Sequence, residues 1–95
     1  MRTMLRFTMD IEAGNKAVQE GRAGSVMRSV VEKIKPEAAY FYIDGGRSGM
    51  FIFDLADNSD IPAMLEPLFQ SLNAKVELIP VMNQEELAKG IGKIG

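Results

Sequence analysis

The chain has 95 residues, of which 46% are apolar and 25% charged, with a formal net charge of −2. This composition fits one soluble folded domain, residues 1–95, long enough for a single core. Cysteine and histidine are both absent, which excludes disulfides, thiolate chemistry, histidine-based triads and histidine-ligated zinc or haem. The acidic balance argues against a nucleic-acid partner. No apolar run approaches the ~18 residues of a membrane span, and the amino end lacks a leader pattern, so the expected location is the cytoplasm.

Met4 to Ile11 alternates, with Leu5, Phe7, Met9 and Ile11 on one face and Arg6, Thr8 and Asp10 on the other. This predicts a first strand with one wholly apolar face. From Ala13 to Lys35 the period changes to helical, with Met27, Val30, Val31 and Ile34 on one side. Gly14 or Asn15 is the expected cap. Gly21 and Gly24 mark either a break into two helices or a close approach of backbone to sheet, and Pro36 ends the segment.

Ala38 to Ala56 reads AAYFYIDGGRSGMFIFDLA, two apolar runs around a glycine-rich break, the pattern of a β-hairpin. A five-residue loop pairs Tyr40 with Asp54, Tyr42 with Ile52 and Asp44 with Met50. It also pairs Phe41 with Phe53 and Ile43 with Phe51 on an apolar face. GGRSG resembles an anion nest, but it joins two strands, and a turn is the simpler reading.

After a polar connector, Ile61 to Leu72 follows the helical template. Pro62 suits its first turn, and Pro67 should kink or divide it. Asn73 is a candidate left-handed terminus. Val76 to Met82 reads as a fourth strand, placed on a sheet edge by Pro80. Asn83 and Glu86 have capping-box spacing for a short final helix carrying Leu87, Ile91 and Ile94.

The element order predicts an α+β, ferredoxin-like βαββαβ sandwich with sheet order 4-1-3-2 and a short C-terminal helix. Both main helices should cover Leu5, Phe7, Met9, Phe41, Ile43, Phe51, Phe53 and Leu55. The opposite face, with Arg6, Thr8, Asp10, Tyr40, Tyr42, Met50, Ile52, Asp54, Glu77, Ile79 and Val81, contains charges yet is too apolar to stand bare in water. Self-association through this face into a homodimer is the expected resolution.

On the first strand LRFTMDI, the hairpin and the tract PAMLEPLFQSLNAKVELIPVM, the chain resembles the dimeric α/β-barrel superfamily of ferredoxin-like proteins. The likeness is to its small members related to muconolactone isomerase. That resemblance implies a barrel-like homodimer with a cleft, in a superfamily of isomerases, cofactor-independent monooxygenases, haem enzymes and binding modules; fold alone does not choose among them.

Pairing the fourth strand with the first sets Asp10 against Glu77, Thr8 against Ile79 and Arg6 against Val81. Setting the third strand parallel to the first brings Asp54 to the Asp10 end. The expected candidate site is therefore Asp10, Asp54 and Glu77 as acid–base carboxylates, with Arg6, Thr8, Tyr40 and Tyr42 as ligand contacts. Solvated ion pairs and an interface aromatic pair explain the same residues without chemistry. No cofactor and no metal is expected, although three carboxylates would suit a hard cation. An RNA-recognition module shares the topology, but its stacking aromatics must lie on the open face, where this register puts Met50, Ile52 and Asp54. The functional expectation is a homodimer binding a small planar or anionic organic molecule. The alternatives are a cofactor-independent isomerase or monooxygenase-like enzyme and a ligand-free interaction module.

Overall fold

The computed structural model describes residues 1–95. Strand β1 spans Arg2–Thr8, and Leu5 and Phe7 turn into the core as the alternation dictates. The strand ends earlier than the sequence pattern suggests. The Asp10 carboxylate accepts a hydrogen bond from the Ala13 N–H at 3.0 Å, so Asp10 caps helix α1, Ile11–Gln19. Ile11 is thus the first helical residue, and neither Gly14 nor Asn15 is the cap. Gly21, at φ 73°, takes the left-handed turn that separates α1 from α2, Ala23–Ile34.

Strand β2 is Ala38–Ile43 and β3 is Arg47–Asp54. The hairpin turns through Asp44-Gly45-Gly46, with Gly45 at φ 70°, and pairs Ile43 with Arg47, Tyr42 with Ser48 and Tyr40 with Met50. The five-residue loop is therefore corrected to three residues. The register moves by an even number, so every side chain keeps the face assigned to it.

A 3-10 turn at Asn58–Asp60 leads into α3, Ile61–Leu72. Pro67 neither divides nor ends α3. It leaves the Ala63 carbonyl without its helical donor, and the Lys33 ammonium of α2 reaches that oxygen at 3.4 Å. Asn73 closes the helix at φ 45°. Strand β4, Lys75–Pro80, and α4, Gln84–Gly92, complete the chain. The Asn83–Glu86 capping box forms in full.

The four strands form one open antiparallel sheet in the order β2-β3-β1-β4, an α+β architecture compatible with a ferredoxin-like sandwich. β3 runs antiparallel to β1, with Arg2 opposite Asp54 and Thr8 opposite Ser48, which reverses the expected direction. Helices α1, α2 and α3 cover one face around Leu5, Phe7, Phe51, Phe53, Val30, Leu68 and Leu72. They do not reach over β2. Phe41 and Ile43, expected in the core, are 60% and 81% exposed, and Leu55 is half-buried.

Helix α4 has little contact with the rest of the fold, and its apolar Leu87 and Ile91, with Ile94 just beyond its end, are exposed. Its start is tied to the sheet by Arg2, whose guanidinium pairs with Glu86 at 2.6 Å and also with Glu37. The projecting helix lengthens the molecule to 55 × 27 × 17 Å. The radius of gyration is 15.1 Å, against about 12 Å for a compact chain of this length. No helix is long and apolar enough to cross a membrane.

Candidate functional site

The sheet face not covered by helices is ordered in cross-strand rows. Ala38, Ile52, Met4 and Ile79 make an apolar row across all four strands. The next is Tyr40, Met50, Arg6 and Glu77, and the one after it is Tyr42, Ser48, Thr8 and Lys75. Polarity therefore rises along the strands toward the β1–α1 turn.

A cleft of about 610 Å3 opens at that polar end. Arg6, Thr8, Tyr42, Lys75 and Glu77 line it from the sheet, Asp10 and Ile11 from the start of α1, and Asp44 from the hairpin turn. Phe7, Met9 and Ala74 also border it, and all three are buried in the core beneath. Arg6 is the central cation. Its guanidinium is 3.8 Å from the Asp44 carboxylate. The facing Tyr42 hydroxyl, with Glu77 and Asp44, holds its pKa above the ordinary arginine value. Arg6 is accordingly a permanent positive charge. The Thr8 and Ser48 hydroxyls are 3.0 Å apart, and Ser48 also donates to the Gly46 carbonyl, so this pair fixes the cleft wall beside the turn.

The structure brings together five of the seven residues expected from sequence: Arg6, Thr8, Asp10, Tyr42 and Glu77. Their pairings differ from expectation, because Arg6 lies opposite Glu77, and Thr8 opposite Lys75. Asp54 is not among them. It sits at the other end of the sheet, on the order of 20 Å away at ~3.3 Å per residue, where its carboxylate takes the Met1 ammonium at 2.8 Å. Tyr40 lies outside the cleft on the edge strand and is 66% exposed. The proposed crowding of three carboxylates is therefore corrected, and no group of such ligands converges to hold a metal ion.

Of the three carboxylates expected from sequence, the two that line the cleft are in different circumstances. Asp10 is engaged in capping α1, whereas Glu77 is exposed and accepts no hydrogen bond within the chain. Lys75, Asp44 and Asn73 also line the cleft and were missed in the sequence. Lys75 had a readable signal, since it stands two residues from Glu77 and therefore shares its face.

No family model matches this chain. No curated protein matches it either. The chemistry of the cleft thus rests on its own residues: the Arg6 cation, the Tyr42 phenol, the Thr8 hydroxyl and the exposed Glu77 carboxylate.

Proposed function

We propose that the protein is a homodimer that binds a small planar organic anion in the cleft at the polar end of the open sheet. The observation that carries this reading is the convergence of Arg6 and Tyr42 in that cleft. A guanidinium pairs with a carboxylate in two parallel hydrogen bonds, and a phenol ring supplies both a flat surface and a donor. The apolar row beside the cleft supports association of two open faces, the arrangement of the dimeric α/β-barrel superfamily related to muconolactone isomerase. A second copy would then close the cleft from above.

Benzoate is a suitable probe, with benzyl alcohol as the uncharged control. Benzoate should raise the thermal midpoint in a concentration-dependent way, and benzyl alcohol should not. Arg6→Gln should weaken benzoate binding about 10-fold or more, since hydrogen bonds to charged groups contribute ~1.5–3 kcal/mol. Equal binding by the wild type and Arg6→Gln in calorimetry would refute the site.

The Glu77 carboxylate, exposed and accepting no hydrogen bond within the chain, favours a second reading, a cofactor-independent isomerase in which Glu77 removes a proton and Arg6 faces the developing enolate. It predicts that Glu77→Gln abolishes turnover of any substrate found while leaving benzoate affinity within a few-fold. Retained turnover in that variant would remove Glu77 from the mechanism.

A further inference from the structure

We infer that the β2 edge is a self-pairing surface, joined to the β2 of a second copy by a two-fold axis through Phe41. The ladder fixes which backbone groups are free. The Met9 N–H donates to the Arg47 carbonyl and the Leu55 N–H to the Met1 carbonyl, so odd-numbered residues of β3 bond to β1. Even-numbered residues of β3 therefore bond to β2, as the Asp44 N–H to Gly46 carbonyl bond of 3.2 Å shows. Tyr40 and Tyr42 thus turn their backbone groups inward, and Ala39, Phe41 and Ile43 turn theirs out to the edge.

An antiparallel two-fold centred on Phe41 sets Phe41 against the partner's Phe41, and Ala39 against the partner's Ile43. All the outward N–H and C=O groups of these three residues are then satisfied. Centring the axis on Ala39 or Ile43 leaves some of them unpaired. The side chains agree with this register. On the helix side, small Ala39 meets the larger Ile43 and the two Phe41 rings adjoin. On the open side Tyr40 meets the partner's Tyr42, and aromatic cross-strand pairs of this kind are favourable.

Charge points the same way. No charged residue lies between Ala38 and Ile43. The flanking acids are already held within the chain, Glu37 by Arg2 and Asp44 by Arg6. The other edge is protected in the way natural sheets protect edges. The Val81 N–H donates to the Arg2 carbonyl, so odd-numbered residues of β4 bond to β1 and Pro80 stands in the outward phase, where it offers no donor. Lys75 and Glu77 add charge there, and β2 has neither device. On the helix side a groove of about 340 Å3, lined by Met27, Phe41 and Ile43, leaves space beside the β2 edge.

The exposed parts of Tyr40, Phe41 and Ile43 amount to roughly 400 Å2 per copy, taking ~150–250 Å2 for each large side chain. Doubled, this falls short of the ~1,200 Å2 of a stable interface. The edge is therefore a concentration-dependent contact, one that leaves the open face free. Where the cleft reading also holds, it brings the partner's Tyr40 beside Tyr42 at the cleft wall.

Because the native chain lacks cysteine, single cysteines report the register directly. Residues in a hydrogen-bonded antiparallel pair have Cα atoms ~5.5 Å apart, within the disulfide range of ~4.4–6.8 Å. Under mild oxidation of the full chain, Phe41→Cys should form a covalent dimer. Ile43→Cys, which faces the partner's Ala39, should not, and the double variant Ala39→Cys with Ile43→Cys should regain the cross-link. Cross-linking of Ile43→Cys as readily as Phe41→Cys, or of neither, would overturn the inference. In the unmodified chain, amide exchange at Ala39, Phe41 and Ile43 should slow as concentration rises; fast exchange at every concentration would also overturn it. The open-face dimer is tested separately, since Ile52→Lys should leave the Phe41→Cys cross-link intact.

Discussion

At Gly49 the sheet has no room for a side chain. A Cβ there would stand 2.6 Å from the buried Phe7 ring and 3.0 Å from the Phe41 ring. Phe7 stacks on Phe51 at 5.9 Å between centroids, and Phe41 meets Phe51 edge-on at the same distance. The three rings close around the glycine, which is how Phe41 packs against β3 while remaining largely exposed. Gly49→Ala should therefore destabilise the fold by about 1–3 kcal/mol, the usual cost of overpacking. Urea unfolding measures this directly, and an unchanged midpoint would mean that the rings can shift aside. Gly90→Ala is the internal comparison, because nothing lies within 4 Å of its Cβ position; it should not destabilise. The cost at Gly49 could not be read from the sequence, where this residue looked like one more turn glycine.

At the scale of elements, local chemistry was legible at two helix ends whose capping partners are close in sequence, and missed at a third. The Asn83–Glu86 box and the Asn73 terminus were readable because their partners lie within a few residues, whereas at Gly21 the pattern left a break and a close approach to the sheet both open. Asp10 escaped because its alternation with Thr8 and Arg6 also fits a strand, and only the tertiary fold decides between the two. The capping box carries a testable consequence. The Asn83 N–H and then the Arg2 guanidinium hold the Glu86 carboxyl below its ordinary pKa. A depressed folded-state pKa gives stability that is present above the unfolded value of ~4.3 and is lost as pH falls through the folded value. Because α4 has little other contact with the body, this helix should fray first on acidification below about pH 4. Amide NMR across a titration should show α4 shifts moving toward coil values while β1 and β3 hold. Simultaneous loss of α4 and the sheet would show that the pair does not act locally.

For the whole molecule, the sequence carried face information well and position along the strands poorly. Alternation assigns each side chain to a face whatever the register, so Arg6, Thr8, Tyr42 and Glu77 were correctly grouped on the open side. Register depends on turn length and strand ends. Both strand pairings were placed four residues away from those observed, and the direction of β3 was reversed, which moved Asp54 to the wrong end. The half-buried apolar row of Ala38, Ile52, Met4 and Ile79 and the projecting stripe of α4 are surfaces that a lone chain leaves partly to solvent. If open faces associate as proposed, sedimentation equilibrium at tens of micromolar should give a mass of at least two chains. In a two-fold interface Ile52→Lys acts twice, removing on the order of 3 kcal/mol or more of apolar burial. That should raise the dimer dissociation constant about a hundredfold or more. Phe41→Lys should spare this dimer and remove only the species that grow in at higher concentration. Combining the two substitutions should leave a single chain across the whole range. A wild-type protein that sediments as one chain at these concentrations would exclude the face-to-face assembly, and with it closure of the cleft by a second copy.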